Sequence, residues 1–195
     1  MSENVSIQTS DGVAIVRFTQ LERKNPLSRS VIEYLHALAD DLATDASVEK
    51  VILTGIGDAF ASGANLNEIA ALSAEDAPEF ARLGQSLMQK IAELPQFAIA
   101  AVNGHCFGGA LDLALACDAR IASPNARFAH PGASLGIITG WGGTQRLPRI
   151  IGEARALEMF FSAEPISAER AFTIGLVDEI SDDLLGSALR SDKGI

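Results

Sequence analysis

Cysteine is scarce in this chain of 195 residues: Cys106 and Cys117 are the only two. They form neither a CxxC pair nor a dense framework, so a disulfide scaffold and a structural zinc site are both excluded, and reduced, buried thiols are expected. Basic charge is outweighed as well, with 15 Lys and Arg against 25 Asp and Glu and a net charge of −10. The mean field therefore repels polyphosphates and anionic lipid surfaces, which argues against nucleic acid as a partner. An anionic small ligand is still admissible, because a helix N-terminus acts locally and opposing charge is screened beyond about 8–10 Å. The stretch Met1–Ser6 lacks the basic and apolar regions of a secretory signal, so a cytoplasmic location is expected. Nucleotide and hydrolase signatures are missing too. No Gly-Lys-Ser/Thr occurs, Gly55-Ile56-Gly57 lacks the third glycine of a dinucleotide fingerprint, and Ser62 has no glycine two residues before it. No His, Cys and carboxylate cluster has metal spacing, so no metal is expected.

What is there reads as a globular chain, 48% hydrophobic and 21% charged, of a length suited to a single domain over residues 1–195. Phe97 to Cys117 could be mistaken for a membrane span, since Asp112 is its one charged residue and Gly104 and Gly108 have GxxxG spacing. Asn103, His105 and Asp112 lie inside it, Gly108-Gly109 would break a helix in its middle, and Pro95 stands just before it. A buried strand, a glycine turn and a short buried helix fit better, and no membrane partner is expected.

Along the chain, Val13–Phe18 is apolar and β-branched, and Asp11-Gly12 before it is a hairpin turn signal. Leu27, Val31, Leu35, Leu38 and Leu42 recur at the one-sided spacing of a helix packed on a sheet. Val51–Thr54 reads as a short buried strand. Phe80, Leu83, Leu87, Met88, Ile91 and Leu94 write a second helix, opened by Asp76, Pro78 and Glu79 and stopped at Leu94-Pro95. Ala98–Val102 and Ala119–Ala122 are further strands. Strands alternating with helices predict an α/β fold with largely parallel pairing. Beyond these, the pattern predicts a helix over Arg149–Phe161, a shorter one over Ser167–Phe172, a last strand at Gly175–Val177, and a polar tail over 181–195 that frays.

Two glycine-rich turns follow predicted strands. In the first, Gly57 to Leu66, small residues let a ligand approach the backbone. In the second, Asn103 to Asp112, a glycine pair opens a helix whose first N–H groups lack intrahelical partners. One N–H from each, aimed at a single oxygen gaining negative charge, is what an oxyanion hole requires. Ligands of open α/β sheets gather beyond the carboxyl ends of the strands, where both turns fall.

The residues themselves resemble the crotonase, or enoyl-CoA hydratase/isomerase, superfamily over roughly Val5 to Ile180. The resemblance is carried by Arg23-Lys24-Asn25-Pro26-Leu27-Ser28, by Val51–Gly55 with Ala59-Phe60-Ala61-Ser62-Gly63-Ala64-Asn65-Leu66, and by Ala101–Gly104 with Gly108-Gly109-Ala110. It is carried further by Gly136-Ile137-Ile138 with Gly142–Arg149. It implies a crotonase-like (ClpP/crotonase) ββα spiral with the C-terminal helical region largely absent. It also implies an acyl-CoA thioester whose carbonyl oxygen lies between the N–H groups of Ala64 and Gly109, where a thioester enolate is stabilised. CoA then belongs to the substrate, and no separate cofactor is implied. Lys24, Leu27 and the backbone of Ala61, Ser62, Gly63, Asn65 and Leu66 are implied to line the CoA arm, and Gly108, Gly132 and Trp141 are further candidates for substrate binding. Because family members continue into C-terminal helices that close the pocket, a homo-oligomer, a homotrimer or hexamer, is expected.

Hydratases of the family use two glutamates, and the matching positions here are Asp112 and Gly132. Asp112 also matches an aspartate of the dienoyl-CoA isomerase branch, whose other two carboxylates fall at Gly132 and Gly140. Asp112 is the leading proton-transfer candidate, because its apolar neighbours imply burial, which raises a carboxylate pKa against the helix dipole. The plainer reading of Asp112 is a contact with the helix start. His105 reads as a core histidine, and His130 is the better substitute base although a structural role is also open to it. Trp141 reads as a wall of the acyl pocket. Two rival functions stand beside an enoyl-CoA hydratase/isomerase: a catalytically weak acyl-CoA binding protein, and a CoA-thioester hydrolase or decarboxylase using the same oxyanion hole.

Overall fold

In a computed structural model describing residues 4–192, the chain opens with a hairpin of β1 (Val5–Ser10) and β2 (Val13–Phe18). Its turn is Asp11-Gly12, both at positive φ, the geometry whose twist suits a two-residue hairpin. β3 (Pro26–Leu27) leads to α1 (Arg29–Thr44), where the Ser28 hydroxyl accepts the Val31 N–H as N-cap. Three strand pairs then follow. β4 (Lys50–Gly55) runs into β5 (Ala59–Ala61), then β6 (Gly63–Ala64), a short α2 (Leu66–Ala70) and α3 (Ala77–Ala92). β7 (Phe97–Val102) runs into β8 (His105–Phe107) and α4 (Gly109–Ala116). β9 (Ala119–Ala122) runs into β10 (Arg127–Ala129), a 3-10 turn over Pro131–Leu135, α5 (Gly143–Ile151) and α6 (Glu153–Ser162). β11 (Ile166–Ser167), α7 (Ala168–Thr173), β12 (Glu179–Ile180) and α8 (Leu184–Arg190) complete the described chain.

The first strand of each pair joins a six-stranded sheet of order β1-β2-β4-β7-β9-β12, parallel except for the β1 edge. The second joins a four-stranded sheet of order β11-β10-β8-β5, in which β5, β8 and β10 are parallel neighbours. This repetition positions the site. The segments leaving β5, β8 and β10 all emerge at the carboxyl ends of adjacent parallel strands, where ligands of such sheets bind.

β4 and β7 are buried on both faces, as their unbroken apolar runs require. Val51, Leu53, Ala98, Ala100 and Val102 face the main core with α1, α3 and α4. Ile52, Ile99, Ala101 and Ile121 face the opposite way, against Leu184, Leu185 and Ala188 of α8.

The structure corrects four expectations. Arg149–Phe161 is two helices, because Gly152 at φ 86 breaks the run, and the first of them starts earlier, at Gly143. Gly175–Val177 is a turn whose Leu176 N–H donates to the Ala171 carbonyl; the last strand lies at Glu179–Ile180. The tail expected to fray holds α8, capped by the Asp183 carboxylate accepting the Gly186 N–H, with residues 193–195 outside the described chain. Finally, the segment after β7 carries the strand β8 before its helix. Among the described residues no helix is long and apolar enough to cross a membrane.

Candidate active site

The first turn is braced from a distance. Asn25, buried and in the left-handed region, donates its side-chain amide to the Ala59 carbonyl at 2.8 Å, with the Ile56 and Phe60 carbonyls at 3.3 Å. Asn103 closes the same loop from the other side. It accepts the Gly55 N–H at 2.9 Å and donates to the Gly57 and Ala59 carbonyls at 3.0 and 3.1 Å. Downstream, β6 pairs with β3 in register Pro26↔Gly63 and Leu27↔Ala64. Gly63 has φ 97, and a Cβ there would stand 2.6 Å from the Phe107 carbonyl oxygen, so a side chain is excluded both conformationally and sterically.

The second turn is held by backbone contacts. Gly108, at φ 54 and ψ −121, sends its N–H to the Ala129 carbonyl and hands the chain to Gly109, first residue of α4. Gly109 has no intrahelical acceptor for its N–H at that position. A Cβ on Gly109 would lie 3.4 Å from the Ala64 nitrogen and 2.4 Å from the Trp141 ring, so the two backbones are side by side. Among the described residues, neither the Ala64 nor the Gly109 N–H donates in a turn, loop or capping hydrogen bond.

Both positions line one cavity of about 290 Å³. Its walls are apolar: Leu66, Ile69, Leu72, Phe80, Leu135, Ile137, Ile138 and Trp141. Trp141 is buried against Phe80, its ring centroid 5.5 Å away, and over Gly84, where a Cβ would meet the indole at 2.2 Å. Asp112 and His130 both line this cavity, their side chains 3.7 Å apart at the nearest atoms.

Asp112, in the first turn of α4, is fully buried. Its Oδ2 accepts the Thr139 hydroxyl, while Oδ1 has no partner among the described residues. Burial pushes its carboxyl pKa up to about 7, against the lowering pull of the Thr139 hydroxyl, the Trp141 and Gly143 N–H groups and Arg146. The helix start that this carboxylate touches is thus that of α5, not that of its own helix. Gly143 makes the room, since a Cβ there would fall 2.2 Å from Asp112 Oδ1. A carboxyl group poised near neutrality beside two backbone amides can move protons on a bound carbonyl compound.

His130 is buried with its Nε2 3.7 Å from Asp112 Oδ1, and burial alone drives its pKa down to about 4. His105, expected in the core, is only half-buried and stacks on Phe107. Cys106 and Cys117 are buried thiols, the latter pushed up to about 12 by burial.

Of the residues the sequence nominated, Ser62, Gly63, Ala64, Leu66, Gly108, Gly109, Asp112, Gly132 and Trp141 line the cavity. Four do not. Leu27 and Ala61 are fully buried in strand pairs, outside the lining of this cavity. Asn65 turns its side chain back to cap α2, accepting the Asn67 N–H. Lys24 stands outside the cavity, exposed and paired with Asp58 at 3.2 Å. Sequence reasoning passed over Thr139, Gly143 and the bracing role of Asn25 and Asn103. The asparagines lie inside the motifs that carry the family resemblance, but nothing local marks a carbonyl 34 or 44 residues away as a partner.

Comparison with known proteins bears on the family and the fold. The sequence profile of the family described as Enoyl-CoA hydratase/isomerase matches residues 8–190. A crotonyl-CoA hydratase of Syntrophomonas wolfei is 38% identical over 179 residues, covering 91% of this chain and 69% of its own length. A probable enoyl-CoA hydratase of Bacillus subtilis is 45% identical over 154 residues, or 78% of this chain and 60% of its own. An enoyl-CoA hydratase from Bacillus anthracis superposes with a TM-score of 0.92 at 36% identity, covering 96% of this chain and 74% of that one. Pseudomonas aeruginosa DspI also gives 0.92, at 32% identity, covering 96% and 78%. The fold is therefore the crotonase fold, and the chain belongs to the enoyl-CoA hydratase/isomerase family. It spans between about 60% and 69% of the length of these two sequence relatives.

Proposed function

We infer that the protein binds a 2-enoyl-CoA thioester with its carbonyl oxygen between the N–H groups of Ala64 and Gly109, and that Asp112 moves the protons as the thioester passes through an enolate. The observation that carries this reading is the convergence of three groups on one apolar cavity: two adjacent backbone amides and a buried carboxyl group with a pKa near 7. Neutral donors in a dry pocket favour the enolate over the carbonyl, and one such donor is typically worth about 3–4 kcal/mol of barrier. Hydration of the double bond is the reaction assigned, in keeping with the hydratases among the relatives. The backbone from Ser62 to Leu66 and the exposed Lys24 are assigned to the CoA arm.

Turnover of crotonyl-CoA by the parent and by Asp112→Asn, with calorimetric affinity for a saturated acyl-CoA, tests the reading. The variant is expected to lose between about 100- and 10,000-fold in turnover, with affinity retained. Equal turnover in both proteins, or consumption of malonyl-type or 3-hydroxyacyl thioesters in place of enoyl-CoA, overturns it. A homotrimer or hexamer belongs to the same reading, supported by the exposed apolar side chains Phe161, Leu157 and Phe172 on α6 and α7. Light scattering that returns a monomer removes that part.

A further inference from the structure

Adding water to a conjugated double bond takes two services: the water must be held and deprotonated, and the α-carbon must receive a proton. Among the described residues, Asp112 and His130 are the only side chains lining the cavity that titrate. They come from different elements, Asp112 from α4 and His130 from the segment after β10, and each is enclosed. Their nearest approach, 3.7 Å between Nε2 and Oδ1, is beyond a direct hydrogen bond. Asp112 Oδ1 and both ring nitrogens of His130 have no hydrogen-bond partner among the described residues, whereas Asp112 Oδ2 is engaged by Thr139. Leaving a buried polar atom unpaired is costly, and Asp112 Oδ1 and His130 Nε2, 3.7 Å apart and both unpaired among the described residues, point to a compact polar ligand that both can reach.

Resting on the hydratase reading, we propose that Asp112 Oδ1 and His130 together seat the water molecule that adds to the enoyl thioester, His130 accepting the hydrogen that stays on the oxygen. The water oxygen bonds to the β-carbon while the carbon–carbon π pair shifts through the thioester to the oxygen between the Ala64 and Gly109 amides. One water hydrogen passes as a proton to the Asp112 carboxylate. The other stays on the new hydroxyl, donated to His130. Return of the enolate electrons to the α-carbon takes the proton back from Asp112, so the sum is enoyl thioester plus one water giving one 3-hydroxyacyl thioester. His130 keeps one protonation state throughout, which suits an imidazole that burial holds neutral above about pH 4. The ring of Phe160, 5.1 Å from the imidazole centroid, flanks His130, and Gly143 keeps the space open, a Cβ there standing 3.0 Å from His130 Cε1.

The test compares the parent with His130→Phe and His130→Gln in two assays: hydration of crotonyl-CoA, and exchange of the α-protons of butyryl-CoA in D2O followed by NMR. Exchange needs the two amides and Asp112 but adds no water to carbon. His130→Phe is expected to lose hydration on the order of 100-fold through misplacement of the nucleophile, with exchange near the parental rate. His130→Gln, whose amide oxygen can accept a hydrogen bond, is expected to recover part of the hydration. Parental hydration in His130→Phe, or loss of hydration and exchange in step, overturns the proposal. Should the Phe variant not fold, His130→Gln losing hydration and exchange in step overturns it equally. Absence of exchange in the parent itself instead sinks the enolate reading beneath it.

Discussion

The two turns that meet at the cavity are built by opposite means. The Gly63-Ala64 turn is held by side chains far away in sequence: Asn25 and Asn103 pin the loop before it, and the β3–β6 pair pins the turn itself. The Gly108-Gly109 turn is held by backbone rather than by side chains: the Gly108 N–H reaches the Ala129 carbonyl, that glycine takes a conformation other residues avoid, and the next stands at the head of a helix. A distant brace transmits damage as lost stability, because its members also satisfy buried carbonyls. A backbone-held turn fails as chemistry, because the residue that shapes it also touches the reacting space.

Gly109 and Gly108 give the sharpest contrast within one turn. Alanine at Gly109 drives a methyl group into the Trp141 ring at 2.4 Å, and that indole is wedged against Phe80 and Gly84, so the cavity wall must move. Turnover is expected to fall on the order of 100-fold or more, since displacing a reacting group by about 1 Å costs that much. Alanine at Gly108 meets nothing within 4 Å and suffers only from its backbone angles. Urea unfolding should show a loss of about 1–3 kcal/mol there. If Gly108→Ala proves the worse catalyst while Gly109→Ala stays active, the assignment of the second amide is wrong.

The distant brace is probed by Asn103→Ala, which strands the Gly55 N–H and takes a donor from the Gly57 carbonyl. A buried group left unpaired costs about 1–3 kcal/mol, so equilibrium unfolding should register a loss of that size. Asn25→Ala should cost a similar or smaller amount, as the Ala59 carbonyl keeps its bond from Asn103. Both asparagines serve that carbonyl, so the double variant should lose more than the sum of the single ones. Strict additivity would show that the loop is not held jointly.

Stability against pH separates the two buried titrating groups. Asp112 has its folded value near 7, above its ordinary 3.8. As pH rises across that window the unfolded chain gives up the proton first, so this group's contribution to stability falls. His130 has its folded value near 4, below its ordinary 6.5. Across that window the unfolded chain holds the extra proton, so its contribution rises with pH. The two slopes oppose each other between about pH 4 and 6.5. Relative to the parent, Asp112→Asn should therefore gain stability with rising pH by up to about 1.4 kcal/mol per unit, and His130→Phe should lose it at a similar slope. Parallel curves for all three proteins would mean that neither group is held as its burial implies.

Much of this architecture was legible because its signals are local. Asp11-Gly12 marks the first hairpin, the one-sided apolar spacing from Val31 to Leu42 marks α1, and the unbroken apolar runs mark β4 and β7. The glycine pair before Asp112 likewise marked the second turn. Misreadings arose where tertiary contacts override local pattern. Leu176 and Val177 are as buried as a strand yet sit in a turn, and the weakly periodic tail becomes α8 because the outer face of the large sheet needs Leu184, Leu185 and Ala188. Gly152 falls inside the helix predicted over Arg149–Phe161, and its φ of 86 divides that run. Within the site, Thr139 was invisible because its partner, Asp112, lies 27 residues away on another element. The meeting of His130 with Asp112 depends on strand order, since only the adjacency of β8 and β10 brings their trailing segments together.

The weakest interaction near the first turn makes the gentlest test of how that turn works. Lys24 and Asp58 pair at 3.2 Å with both side chains well exposed, and exposed pairs are screened and entropically costly to hold. Lys24 holds Asp58 below its ordinary carboxylate range, but the buried asparagine contacts leave the loop no need of the pair. Asp58→Asn is therefore expected to leave the melting temperature within the repeatability of calorimetry. Lys24→Ala should be equally silent in stability, while raising KM for a CoA thioester severalfold with kcat unchanged, because only ground-state and transition-state binding of the CoA arm is lost together. A fall in kcat with constant KM would place Lys24 in the chemistry, where its exposed position outside the cavity gives it no access.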